Sequence, residues 1–207
     1  MKNIRAIGFD WGGVIFQTPG GSFNDEAAAF LEVDKEKFRQ AYFLHNHMVN
    51  KGPDTKDYAG AVEMWSAILA ELDMVYELDR FMGFIKSRPK GSVNQGMLDL
   101  VANLRGLGWK VGLFSNNSAG GAAEIRQQGH DKCFDVALFS AEVDCMKPEP
   151  EAFIKLADVL GVSVTELVYI DDSERSLSTA DTVGYTPILF KSQDSLIERL
   201  KELGINL

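Results

Sequence analysis

Five short apolar runs decide what this chain can fold into. They span residues 4–9, 111–114, 136–139, 167–170 and 186–190. Each is too short for a helix, and helical stretches separate the last four. Near-continuous apolar runs of this length mark strands buried on both faces, as in a parallel sheet covered by helices. Parallel neighbours need crossover connections, which helices supply and which are right-handed. Polar residues follow three of the runs directly: Asp10, Ser115, and the pair Asp171-Asp172. In an open parallel sheet, the C-terminal ends of the strands form the rim where ligands bind. Residues far apart in sequence are thus expected to gather at one edge.

The helical stretches fall into two groups. Between about residues 16 and 89 there is little strand signal. Asp34 reads as an N-cap, with Phe38, Ala41, Leu44 and Met48 on one helical face and Gly52 as a stop. Tyr58, Val62, Trp65, Leu69 and Leu72 form a second stripe, and Val75, Leu78, Met82 and Ile85 a third. Residues 25–31 also read as helical. The pattern predicts a small helical bundle inserted after the first strand. From Gln95 onward, helices alternate with strands. They are marked by Met97, Leu100, Val101 and Leu104, then by Phe153, Leu156, Ala157 and Leu160 closed by Gly161. Two more helices are expected over 174–183, stopping at Gly184, and over 196–203.

The composition bounds the partners. A chain of 207 residues suits one domain, or one domain with a large insert. The formal charge of −9 argues against a nucleic-acid backbone or an anionic membrane surface as partner. Lys2 and Arg5 precede an apolar run that Asp10 cuts short, so no secretory segment is expected. No run approaches the ~18 apolar residues of a membrane span. Cys133 and Cys145 stand twelve positions apart, with no second cysteine near either. They read as free thiols, which points to the reducing cytoplasm.

Taken singly, the polar rim residues have ordinary uses. An Asp before glycine caps a turn, and a Ser after a strand often caps the next helix. Two adjacent carboxylates either complement a helix dipole or share a cation, which relieves their repulsion. Four segments taken together say more: Phe9-Asp10-Trp11-Gly12-Gly13-Val14-Ile15, Leu113-Phe114-Ser115-Asn116-Asn117, Lys147-Pro148-Glu149-Pro150 with Phe153, and Tyr169-Ile170-Asp171-Asp172-Ser173. In this order and spacing the chain resembles the haloacid dehalogenase-like hydrolase superfamily over nearly its whole length. Within it, the chain is similar to the phosphatases related to the N-terminal domain of soluble epoxide hydrolases.

The resemblance implies an α/β fold, a Rossmann-like parallel sheet of order 3-2-1-4-5. It implies a core of residues 1–16 and 90–207 and a helical cap of residues 17–89. It makes Asp10 the nucleophile, which would form an aspartyl-phosphate. Ser115 and Asn116 would bind the phosphate, and Lys147 would neutralise charge between nucleophile and phosphate. Mg²⁺ would be held by Asp10, the backbone carbonyl of Gly12 and Asp172, with Asp171 bound directly or through water. The implied substrate is a small phosphorylated metabolite.

One position departs from the pattern. The family's phosphatases carry a second Asp two residues after the nucleophile, where it protonates the leaving group. Here that residue is Gly12. Three readings follow: a phosphatase lacking this acid, a phosphate-binding or regulatory module with little turnover, and a 2-haloacid dehalogenase whose Asp10 attacks carbon. The histidines add no ligand pair: His45 and His47 are two apart, so a helix points them in different directions, and His130 stands alone.

Overall fold

Among the described residues, seven strands organise the chain: β1 (Ala6–Phe9), β2 (Phe16–Gln17), β3 (Ser92–Val93), β4 (Lys110–Ser115), β5 (Val136–Phe139), β6 (Leu167–Asp171) and β7 (Thr186–Leu189). The structure is a computed structural model and describes residues 3–20, 22–51 and 57–207, with the side chains of 57–59 left out. Five strands form one sheet, β5-β4-β1-β6-β7, and every pair in it is parallel. Numbered among themselves, these strands run 3-2-1-4-5, the order the resemblance implied.

The alternation of side chains along each strand divides the core. Ile7, Phe9, Val111, Leu113, Val168 and Ile170 face one side, and Ala6, Phe114, Leu167 and Tyr169 the other. The first side is covered by α6 (Gln95–Gly106), α7 (Ala119–Gln127) and α11 (Gln193–Glu202) through Met97, Val101, Ile125 and Leu196. The second is covered by α9 (Pro150–Leu160) through Phe153 and Leu156, and by α10 (Ala180–Val183) through Ala180. Two glycines let α9 come close. A Cβ on Gly8 or Gly112 would stand 2.9 or 2.8 Å from a methyl of Leu156. A one-turn stub of four residues, α8 (Ser140–Val143), follows β5.

Between β2 and β3 the chain runs through α1 (Phe23–Leu31), α2 (Lys35–His45), α3 (His47–Asn50), α4 (Asp57–Glu71) and α5 (Leu78–Ser87). This insert has its own core around Phe38, Trp65, Ile68 and Phe81, separate from both faces of the sheet. Asp34 caps α2 as expected, accepting from the N–H groups of Glu36 and Lys37. The antiparallel pair β2–β3, with Phe16 opposite Val93, joins the insert's two ends. Two-residue strands carry no periodicity, so the sequence pattern did not show them.

Three helical expectations need correction. Leu44 is 55% exposed, because it lies about 120° round the helix from Phe38; His45 takes the inward place and faces Glu71 at 3.9 Å. Val75 is 61% exposed in a 3₁₀ turn, and the buried residues of α5 are Phe81 and Met82. The helix expected over 174–183 exists only as α10. Before it, Asp171 Oδ1 accepts from the Ser173 N–H at 2.9 Å, and the Ser173 hydroxyl from the Ser176 N–H at 3.4 Å. Such local side-chain bonds compete with helix formation. Gly52, read as a helix stop, and the side chain of Tyr58 lie outside the described residues. Among the described residues, no helix is long and apolar enough to cross a membrane.

Candidate active site

The register of three neighbouring strands brings the site together. Phe9 lies opposite Leu113 on one side and Ile170 on the other. The Asp10 N–H donates to the Ile170 carbonyl at 2.8 Å, so Asp10 emerges beside Asp171. Asp10, Asp171 and Asp172 each offer a carboxylate oxygen, and these oxygens lie within 4.8 Å of one another.

Lys147 stands among them, 3% exposed. Its ammonium is 2.8 Å from Asp10 Oδ1 and 2.5 Å from Asp171 Oδ2, and it lies 5.2 Å from the centre of the Tyr169 ring. Tyr169 is itself fixed by its hydroxyl, which donates to the Phe114 carbonyl at 2.7 Å. Asn116 holds Lys147 by the backbone: its Nδ2 donates to the Lys147 carbonyl and its Oδ1 accepts from the Lys147 N–H, both at 2.8 Å. Ser115 ends β4 and is nearly buried. The capping job that a serine there could perform belongs to Ser118, whose hydroxyl accepts from the Gly121 N–H at 3.2 Å.

The electrostatics follow from three carboxylates facing one ammonium. Burial pushes Asp10 up to about 7, with Lys147 opposing and Asp171 and Asp172 adding to the rise. Asp172 is also raised, by burial and then by Asp171. Burial pulls Lys147 down, but Asp10 and Asp171 outweigh it and hold the ammonium well above its ordinary range. The cluster therefore has negative charge in excess.

Mg²⁺ fits this donor set, being a hard cation that takes carboxylate and carbonyl oxygens and keeps waters. Both oxygens of Asp171 are engaged, Oδ2 by Lys147 and Oδ1 by the Ser173 N–H. On Asp10, Oδ1 accepts from the Trp11 N–H at 2.7 Å and from Lys147, while Oδ2 has no donor among the described residues. Among the described residues, the oxygens left for a cation are Asp10 Oδ2 and those of Asp172, whose carboxylate is bonded only by its own backbone N–H.

The turn after Asp10 is shaped by its glycines. Gly13 has φ +72°, and a Cβ there would stand 2.1 Å from Asp172 Oδ2. Only glycine lets that carboxylate approach. Gly12 differs: its φ is not positive, and a Cβ there meets no atom within 4 Å. Trp11 does not fill that space. Its ring is buried against Phe16 at 6.1 Å and His130 at 5.6 Å, which gives the lone histidine a packing role. Cys145 is buried in the core beneath α9, with its thiol pushed up by burial.

Tyr169 and the bridging role of Asn116 were missed by sequence reasoning. A tyrosine inside an otherwise aliphatic strand was the available signal for Tyr169. Nothing in the sequence points to a side chain that binds a peptide thirty-one positions away.

A family model for haloacid dehalogenase-like hydrolases matches residues 4–184. The chain belongs to this family. Among curated relatives of this hydrolase, the bifunctional epoxide hydrolase 2 of Sus scrofa is 25% identical over 130 residues, 60% of this chain and 23% of that protein. A phosphatase of Mycobacterium tuberculosis is 34% identical over 110 residues, 50% of this chain and 49% of that one. The hydrolase thus spans about a quarter of the epoxide hydrolase and half of the phosphatase. Among solved structures, a family enzyme of Bacteroides thetaiotaomicron, in complex with magnesium and inorganic phosphate, shares the fold at 20% identity. Its TM-score is 0.59, over 93% of this chain and 98% of that one. An L-2-haloacid dehalogenase shares it at 18% identity and TM-score 0.58, over 89% and 85%.

Proposed function

We propose that this hydrolase cleaves a small phosphate ester in the cytoplasm, through an aspartyl-phosphate on Asp10 and with Mg²⁺ as cofactor. The observation that carries the reading is the buried arrangement of Asp10, Lys147 and Asp171 with Asp172 at their side. An excess of carboxylates around one fixed ammonium suits a site that takes a cation and a phosphoryl group together.

In this reading the Asp10 carboxylate attacks phosphorus, and the bond from phosphorus to the ester oxygen breaks. The alcohol leaves with a proton taken from solvent. Water then attacks the phosphorus of the aspartyl-phosphate, giving inorganic phosphate and the free carboxylate. Lys147 holds Asp10 Oδ1, orients the nucleophile, and offsets charge on the phosphoryl group. Ser115 donates to a phosphoryl oxygen. Asn116 acts by fixing the Lys147 backbone and lies beside the same oxygens. Asp10, the Gly12 carbonyl and Asp172, with Asp171 directly or through water, would hold Mg²⁺, which would supply positive charge to offset that of the phosphoryl group.

Gly12 leaves the departing oxygen without a carboxylic acid. Rates should therefore depend steeply on how well the alcohol leaves. The test is a screen of phosphate esters with and without Mg²⁺. Phosphate release that needs Mg²⁺ supports the reading. Halide release from a 2-haloacid, insensitive to chelator, would instead make Asp10 a dehalogenase nucleophile. Stabilisation by phosphate esters without turnover would make the site a binding module.

A further inference from the structure

A cavity of about 360 Å³ lies between the helical insert and the core, and its wall includes Asn116 and Lys147. Through these two residues it adjoins the Asp10 site, so in the phosphate-ester reading the rest of a substrate held at Asp10 has this space to occupy. Across the cavity, α2 and α3 present Phe43 and His47, and the segment after Asp172 presents Arg175. Lys51 and Glu149 also line it, but they engage each other at 2.8 and 3.0 Å. Glu149 is further committed to the Met146 N–H at 3.2 Å. That pair leaves no net charge for a ligand.

Arg175 is different. It forms no ion pair among the described residues, and its guanidinium lies 4.2 Å from the centre of the Phe43 ring. A guanidinium held over a ring keeps its in-plane N–H donors available, and their fork matches a carboxylate with two parallel hydrogen bonds. We infer that the substrate carries a carboxylate beside its phosphate ester, and that Arg175, seated on Phe43, receives it. The site is then selective for phosphorylated carboxylic acids over neutral phosphate esters of the same size. This rests on the phosphate-ester reading of the Asp10 site.

The test uses binding of two phosphonates, whose carbon–phosphorus bond is not hydrolysed, so it reads independently of turnover. One ends in a carboxylate, the other in the isosteric primary amide. Calorimetry with Mg²⁺ present should show the carboxylate binding about tenfold more tightly to the wild-type protein. In Arg175→Gln the preference should fall to within about twofold, and Arg175→Lys should restore only part of it, since it keeps charge without the fork. Thermal melts show whether each variant is folded. Equal binding of the two phosphonates to wild type overturns the inference, with no variant needed. So does a preference that survives in folded Arg175→Gln. A failure of the phosphate-ester reading appears elsewhere, as the absence of Mg²⁺-dependent phosphate release.

Discussion

The strand-tip rim and the helical insert face each other across one cavity, yet they are built differently. The rim keeps charge in the interior: Lys147 and Asp171 are almost wholly enclosed, and each is held by named partners. The insert keeps charge outside and fills its own core with Phe23, Phe38, Trp65 and Phe81. It meets the rim through exposed or half-exposed pairs, Lys51 with Glu149 and Phe43 with Arg175. Buried charges tolerate little change, because loss of one leaves its partner unpaired in a poor solvent. A self-contained insert with a few surface contacts tolerates much more. The chemistry is thus expected to depend on the rim, and the choice of substrate on the side chains opposite it.

The largest effect expected is on the rim. Asp10→Asn keeps the shape but lacks the attacking oxygen, so turnover should fall by about 10⁴-fold or more with the fold intact. Steady-state assay and circular dichroism read the two halves. Activity near wild type would exclude Asp10 as nucleophile.

The second contrast sets the two lysines side by side. Lys147→Met strands two buried carboxylates and should cost about 3–5 kcal/mol of stability in the metal-free protein. Lys51→Met breaks a pair that is 35% exposed on each side and should cost less than about 1 kcal/mol. Denaturant unfolding of both variants would erase the contrast if the costs came out equal.

How much of this could be read in advance follows the same division. Asp10, Ser115 and Asp171 were legible because each ends an apolar run, and a run's end is a position in the fold. The order of the strands followed from the family's motifs, and the register of β1 with β4 and β6 bears it out. The insert was legible as helices but not in phase. The sequence stripe puts Leu44 on the buried face, yet the helix turns it to solvent and His45 inward instead. The stretch after Asp172 looked helical until the Asp171 and Ser173 side chains took up backbone N–H groups. The joins across the cavity, Phe43 with Arg175 and Asn116 with Lys147, depend on distance in space and left no local pattern.

Gly12→Asp sharpens the comparison from the rim's one open place. A Cβ there has free space and no strained φ, so the carboxyl can be accommodated. The added acid should help alkyl phosphates more than aryl phosphates, by up to ~10²-fold. An unchanged dependence on the leaving group in a folded variant would point to an acid already present, and the insert's wall is where to seek it.

The smallest effect concerns pH. Asp10 in the folded, metal-free protein sits at about 7, raised from 3.8. Between those values the folded state holds a proton that the unfolded state has released. Its contribution to stability therefore declines as pH rises through that window. Mg²⁺ must displace the same proton, so its affinity should fall by at most about tenfold per pH unit below 7 and level off above it. Calorimetry from pH 5.5 to 8.5 reads the slope, and a flat profile would remove Asp10 from the metal site.

The central claim is that the carboxylate of Asp10 carries the phosphoryl group between substrate and water. Rapid acid quench of the Mg²⁺-loaded enzyme with a phosphorus-labelled aryl phosphate, followed by peptide mapping, addresses it directly. Label on the peptide containing Asp10, rising and decaying as free phosphate appears, is the predicted result. Phosphate released at full rate, with no labelled protein at any time point, would contradict it.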